Sequence, residues 1–385
     1  MSHSTIFPIK EFSSLRTPFY FYDIRLLKST LSAIHHAVAN DSTFHVHYAI
    51  KANANPGLLT IIRDYGLGAD CVSGAEVQAA LDAGFQPDKI VFAGVGKRAD
   101  EIQLGLDSEI GCFNIESVPE LELINRLACD KGRTARVAIR VNPNIDAHTH
   151  HYITTGLTEN KFGINLDQLA DVADLCLKLP NIELIGLHFH IGSQILDMEP
   201  YQALCVKINR LQDDFAARGI SLQSNNVGGD LGIDYEHPDE SPIPDFNRYF
   251  NVFRENLKLR PGQSVHFELG RSIVAQCGSL ITQVKNIKNG VSKDFVIVDA
   301  GMTDLIRPAL YGAHHLIQNL SSHGQQHIYD VVGPICESSD CFGHDERLPL
   351  TSPGDYIALR SAGAYGECMA SRYNLRALPG SMLYE

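Results

Sequence analysis

The stretch His45-Val-His-Tyr-Ala-Ile-Lys51-Ala-Asn-Ala-Asn-Pro56 ends an apolar, β-prone run on a lysine. An amine at the end of a buried strand needs either a counter-charge or a reaction to enter. Desolvation weakens its preference for the ammonium form and leaves a nucleophile able to form a Schiff base. Two glycine-containing stretches suit an anion. Asn226-Val-Gly-Gly-Asp-Leu-Gly232 lets backbone N–H groups approach closely, and Glu268-Leu-Gly-Arg271 sets a glycine beside a guanidinium. Glu268 could pair with a protonated ring nitrogen, and His190 offers a flat ring to stack on a planar ligand. A second chemistry is also written here. His45-x-His47 and His188-x-His190 each place two imidazoles on one face of a strand, as metal ligands of a barrel hydrolase would be, and Asp146-Ala-His-Thr-His-His151 adds more.

What must position these groups is a run of short β-prone segments with helical segments between them. Strands are expected near 45–50, 69–73, 90–95, 112–115, 136–142, 185–191, 226–229 and 265–269. Eight strand-then-helix units within this length predict an α/β fold with a closed (β/α)₈ barrel over residues 26–272. After Ser272 the rhythm changes to strands near 279–287, 294–298, 327–332 and 355–360, separated by Gly, Pro and Ser turns. That predicts a C-terminal, mostly antiparallel β-sandwich or barrel domain over 273–385, which also takes residues 1–25 through Pro18-Phe-Tyr-Phe-Tyr22. Barrel active sites lie at the carboxyl ends of the strands, where Lys51, Asp70, Ser73, Glu76, Arg140, Asn142, His188, His190, Ser193, the 228–230 loop, Glu268 and Arg271 all fall. A lysine, an anion loop, a carboxylate and a flat ring at one mouth point to pyridoxal 5′-phosphate, whose protonated ring is an electron sink.

Composition narrows the alternatives. The chain has 385 residues, 44% apolar and 20% charged, which is ordinary for a globular protein. A formal charge of −13 argues against a nucleic-acid surface, which needs clustered Lys and Arg. The start has no basic segment followed by an apolar one, and no apolar run is long enough to span a bilayer. Nine scattered cysteines without a Cys-x-x-Cys fit a reducing cytoplasm better than a disulfide scaffold.

Six motifs in register, Tyr48-Ala-Ile-Lys-Ala-Asn53, His188-Phe-His-Ile-Gly-Ser-Gln194, Glu268-Leu-Gly-Arg271, Val298-Asp-Ala-Gly-Met302, Cys336-Glu-Ser-Ser-Asp340 and Gly363-Ala-Tyr-Gly366, resemble the alanine-racemase-fold pyridoxal-phosphate decarboxylases. The resemblance runs from about Thr17 onward, across nearly the whole chain. It implies that Lys51 carries the cofactor, that His190 stacks on its ring and that Glu268 holds the pyridine nitrogen. Ser193, Gly229, Gly270, Arg271 and Tyr365 would surround the phosphate or the adjoining substrate, while Asp70 and Arg140 tune the lysine and the cofactor hydroxyl. It also implies a head-to-tail homodimer with shared active sites. Cys336 of the partner subunit would be the proton donor, and Glu337 of the partner subunit would take a distal ammonium. Arg271, Arg307 and Tyr311 look like a clamp for a second carboxylate, which implies the branch converting meso-2,6-diaminopimelate to L-lysine rather than the ornithine or arginine branch. Two departures stand out. Gly228-Gly229-Asp230 replaces three glycines, so the Asp230 side chain is expected to turn away from the phosphate, and Leu269 replaces a proline.

Overall fold

The computed structural model describes residues 7–39, 41–145 and 161–385. The chain divides into two compact units, one of Leu31–Gly232 and Asp245–Gly270, the other of Met1–Thr30, Ile233–Pro244 and Arg271–Glu385. Strand β1 (Phe19–Asp23) belongs to the second unit, and the next eight strands build the first.

Those eight are β2 (Phe44–Ala49), β3 (Gly68–Cys71), β4 (Ile90–Phe92), β5 (Cys112–Ile115), β6 (Ala135–Arg140), β7 (Ile182–His188), β8 (Ser224–Asn226) and β9 (Ser264–Leu269). Each pairs with its neighbour in parallel, and β2 with β9 closes the barrel in the register Phe44↔Val265 to Tyr48↔Leu269. All eight expected strands are present, and so is the closed α/β barrel. The strand-to-helix turns show why the pattern was readable. Asn55, Ser73, Ser117 and Asp245 each accept a backbone N–H of the first helical turn with their side chains, the preferred way to satisfy a helix N-terminus. Ser73 and Glu76, noted above as strand-end groups, serve this purpose. Ser73 accepts from Glu76 N, and the Glu76 carboxylate accepts from Val72 N at 2.7 Å.

Strand β9 is fastened from behind. Phe267 meets Phe250 at 4.8 Å, Phe44 at 5.0 Å and Phe253 at 5.1 Å between ring centroids. The first and third are edge-to-face and the second is tilted, and such aromatic pairs add about 0.5–1.5 kcal/mol each beyond area burial. Side chains alternate along a strand, so anchoring Phe267 on one face fixes Glu268 on the other.

The second unit continues with β10 (Gly278–Asn289), β11 (Asp294–Val298), β12 (Ile317–Asn319), β13 (Gln326–Val332), β14 (Cys341–Pro349), β15 (Tyr356–Leu359) and β16 (Gly380–Tyr384). Its sheet runs β12-β15-β10-β11-β13-β14, and β1 pairs antiparallel with β10 and parallel with β16. The β11–β13 pair is also parallel and the remainder antiparallel, so the β unit is mostly antiparallel and includes the N-terminal strand. Phe12, Phe19, Phe21, Ile281, Leu320 and Ala358 form its core. No helix among the described residues is long and apolar enough to cross a membrane.

Candidate active site

Lys51 stands on a single 3₁₀ turn, Ile50–Ala52, directly after β2. Its Nζ lies 3.5 Å from Oδ2 of Asp70, at the end of β3, whose side chain is fully buried. Burial, then the Glu268 carboxylate, pushes the Asp70 carboxyl up to about 7, with Lys51 working against both. Glu268 behaves oppositely. Its burial favours the neutral acid, but the His188 ring, Lys51 and His190 outweigh this and hold the carboxyl well below the usual range. Asn226 Nδ2 donates to Oε1 at 2.6 Å and Asn114 Nδ2 at 3.3 Å. His188 Nε2 lies 3.1 Å from Oε2, so it carries the hydrogen, and its Nδ1 is buried with no hydrogen-bond partner. The result is a fully buried carboxylate that stays ionised.

Arg140, at the end of β6, is held by Glu116 at 2.8 Å, and both side chains are nearly inaccessible. Glu116 also accepts from Gly94 N and Gly163 N. Removing one member of such a pair costs about 3–5 kcal/mol, since the other is left as an uncompensated buried charge. Beyond β7 come His190 and the part-buried Ser193, and His190 Nε2 is 3.1 Å from Oδ1 of Asp230. The loop after β8 is packed against strand ends. A methyl group on Gly228 would sit 2.7 Å from the Phe189 oxygen, and one on Gly229 would overlap the carbonyl of Glu268. Gly270 is similarly confined, with Ala49 and Ala52 Cβ atoms 3.1 Å from where its own would be.

In the β unit, Arg271 opens the short helix Arg271–Val274 and Arg307 opens Arg307–Tyr311. Both guanidiniums are buried, and both donate from Nη1 to the phenol oxygen of Tyr235, at 2.6 and 3.0 Å. They also lie over its ring at 5.9 and 5.1 Å, and Arg271 lies 4.8 Å from the Tyr365 ring. Among the described residues Arg307 pairs with no carboxylate, and its buried Nε has no partner. Two cations gathered on a phenol without a carboxylate for Arg307 form a receptor for an anion. Cys336 and Glu337 occupy the exposed turn between β13 and β14. Asp340 braces that turn by accepting from Ile335 N and Met302 N at 2.6 Å, and Glu337 accepts from the Tyr373 hydroxyl at 2.9 Å.

The histidine pairs do not converge. His47 bonds His266 at 2.8 Å, His188 bonds Glu268, and His190 faces Asp230. The Asp146–His151 run lies outside the described residues. Asn114, Glu116 and Tyr235 carried no role in the sequence reading, where His188 stood only as a strand-end or metal-pair group and Asp230 only as a side chain expected to turn away. Glu116 is the first polar residue after β5 and His188 ends β7, so the strand-end rule marks both. Tyr235 follows no strand and left no such signal.

A family model described as "Pyridoxal-dependent decarboxylase, pyridoxal binding domain" matches residues 25–275. The diaminopimelate decarboxylase of Bacteroides thetaiotaomicron is 59% identical over 374 residues, 97% of each chain. The crystal structure of diaminopimelate decarboxylase from Helicobacter pylori complexed with L-lysine superposes with a TM-score of 0.93 at 42% identity, covering 98% of this chain and 94% of that one. The enzyme from M. jannaschii in co-complex with L-lysine gives 0.90 at 35% identity, covering 98% and 89%.

The chain belongs to the diaminopimelate decarboxylase family.

Its members are pyridoxal-phosphate carboxy-lyases, and this member's barrel fits that cofactor. A buried carboxylate kept ionised suits a pyridinium nitrogen. A lysine beside a carboxylate of raised pKa suits the carbonyl carbon. The 228–229 backbone, too tightly packed to admit side chains, suits a phosphate.

Proposed function

We propose that this chain decarboxylates meso-2,6-diaminopimelate to L-lysine and carbon dioxide as a homodimer in the cytoplasm. The observation that carries the reading is Glu268: fully buried, ionised, and held by Asn114, Asn226 and His188 in the same barrel as Lys51. When bound, pyridoxal phosphate supplies the sink for the electron pair left as carbon dioxide departs. The residues supply the rest. Lys51 Nζ would be the group that holds the cofactor's carbonyl carbon, with Asp70 as counter-charge while Nζ is cationic. Glu268 keeps a negative charge toward the ring nitrogen, so the proton on that atom stays in place. Arg140, fixed by Glu116, would hold the hydroxyl side of the cofactor, and His190 would stack on its ring. Ser193, Gly229, Gly270 and Tyr365 hold the phosphate side.

Arg271 and Arg307, joined by Tyr235 and flanked by Tyr311, take the distal carboxylate. This favours diaminopimelate over ornithine or arginine, whose distal group is a cation. Glu337 of the partner subunit takes the distal ammonium, and Cys336 of the partner subunit delivers the proton from Sγ to the α-carbon. None of the nine cysteines forms a disulfide, which fits a reducing compartment.

The test is a side-by-side assay of carbon dioxide release from meso-diaminopimelate, ornithine and arginine, with chiral identification of the product. Turnover of the first alone, lost in Lys51→Ala together with the visible absorbance of bound cofactor, is expected. Turnover retained by Lys51→Ala, or a preference for ornithine, overturns it.

A further inference from the structure

Asp230 is an unusual residue in its place. Its backbone φ is +61°, in the left-handed region that glycine enters freely and, among residues with side chains, aspartate and asparagine most readily. The preceding Gly228 is also left-handed, at φ +73°. The aspartate side chain nevertheless has no exposed surface, and it faces the segment that follows β7. Oδ2 accepts from Ile191 N at 3.1 Å, and Oδ1 lies 3.1 Å from His190 Nε2, off the line of an ideal hydrogen bond. One carboxylate therefore grips two consecutive residues, and one of them is the imidazole assigned above to the cofactor ring.

We propose that Asp230 is a positioning residue for His190: it shares one proton with the imidazole across Oδ1 and Nε2 and, anchored through Ile191, fixes the plane of that ring at the barrel mouth. The surroundings support a shared proton over an ion pair. Burial pushes the Asp230 carboxyl up to about 8, against the Ile191 N–H and Lys51, while burial, Lys51 and Arg140 push His190 well down. Both groups thus avoid charge, and a single proton bridging them satisfies both. The other ionisable groups facing the pair are Glu268, His188 and the buried Tyr201 and Tyr249, whose hydroxyls burial keeps protonated. Tyr249 supports the same turn by donating to Gly229 O at 3.0 Å.

The inference rests on the reading of His190 as a cofactor contact, and its test separates the two. Histidine-labelled ¹⁵N protein is compared as parent, Asp230→Gly and Asp230→Asn, with the His190 signal assigned by its loss in His190→Gln. In the parent, the His190 signal is expected to show a fixed proton at Nδ1 and an Nε2 shift drawn part-way toward the protonated value by the carboxyl's hydrogen, neither of which titrates between about pH 5 and 8. In Asp230→Gly it becomes a tautomer-averaged signal, and the dissociation constant for pyridoxal phosphate, read by fluorescence, rises about tenfold, the loss of one hydrogen bond. Asp230→Asn keeps an acceptor for Ile191 and a group opposite Nε2, so it retains affinity within about threefold but changes the His190 spectrum. An unchanged His190 spectrum in Asp230→Asn overturns the proposal, as does parental affinity in Asp230→Gly; if Asp230→Gly does not fold, the Asn variant decides. If the parent itself fails to bind pyridoxal phosphate, the reading of the barrel mouth falls, and the spectra still judge the His190–Asp230 pair.

Discussion

Gly229→Ala tests the packing of the anion loop directly. The added methyl would overlap the carbonyl oxygen of Glu268, and it would lie 2.7 Å from that carbonyl carbon and 3.3 Å from Leu269 Cα. The overlap with the oxygen sets the demand: ordinary contacts settle near ~3.5 Å, so the two backbones must part by well over ~1 Å. Neither can turn aside. Glu268 N donates to Gly228 O at 2.8 Å, and Phe267 is pinned by three aromatic rings. Overpacking against backbone costs about 1–3 kcal/mol, so a loss near the upper end is expected. The displacement falls on Glu268 itself, and misplacing a catalytic group by about 1 Å costs roughly a hundredfold in rate. Urea denaturation and kcat/KM for meso-diaminopimelate should be measured together, with Gly96→Ala as control, since nothing lies within 4 Å of a methyl there. A Gly229→Ala enzyme with parental stability and parental kcat/KM refutes the reasoning.

Arg307→Met removes one of the two cations on Tyr235. It should raise KM for meso-diaminopimelate about tenfold to a hundredfold, the value of a charge-assisted hydrogen bond, with a smaller change in kcat; equal loss in both would place Arg307 elsewhere. Glu116→Ala leaves Arg140 buried and unpaired, and denaturation should show a loss of about 3 kcal/mol or more, where Glu116→Gln loses less. The histidine relay makes the barrel acid-labile. The Lys89 carbonyl can only accept, so His47 Nδ1 donates to it at 3.0 Å. Its Nε2 then accepts from His266 Nδ1, and His266 Nε2 accepts from Ser264 Oγ at 2.9 Å. Burial lowers His47 to about 4, only partly opposed by Glu268 and the Lys89 carbonyl. A histidine lowered in the folded state binds its proton more readily unfolded, so stability is full above about pH 6.5 and declines as pH falls to about 4, by roughly 3 kcal/mol for His47. Parent and His47→Gln should therefore converge in stability across that window; parallel curves would exclude the relay.

Period-two strands separated by capped helices made the barrel legible, because each buried parallel strand is a short apolar run bounded by a turn. The β unit was harder to read. Strand β12 has three residues, and β14, Cys-Phe-Gly-His-Asp-Glu-Arg-Leu-Pro, exposes most of one side and lacks alternation, so neither was anticipated. At the mouth, Lys51 and Glu268 were legible as charged residues ending apolar strands. Their partners were less so. Whether Asn114 and Asn226 support Glu268 depends on barrel closure between residues 154 and 42 positions apart. Tyr235 reaches Arg307 across 72 positions, and no local pattern encodes such a contact.

Strand β1 has a consequence for biosynthesis. Its neighbours are Gly278–Ile281 on one edge and Gly380–Tyr384 on the other. At about 5–20 residues per second, a ribosome delivers the first partner after roughly 15–50 s and the second roughly 5–20 s later. Throughout that interval Phe-Tyr-Phe-Tyr-Asp is an aromatic segment with two unpaired edges, the kind of sequence that seeds intermolecular sheets. The nascent chain therefore carries an early aromatic segment whose second edge stays unpaired until Gly380–Tyr384 has been made.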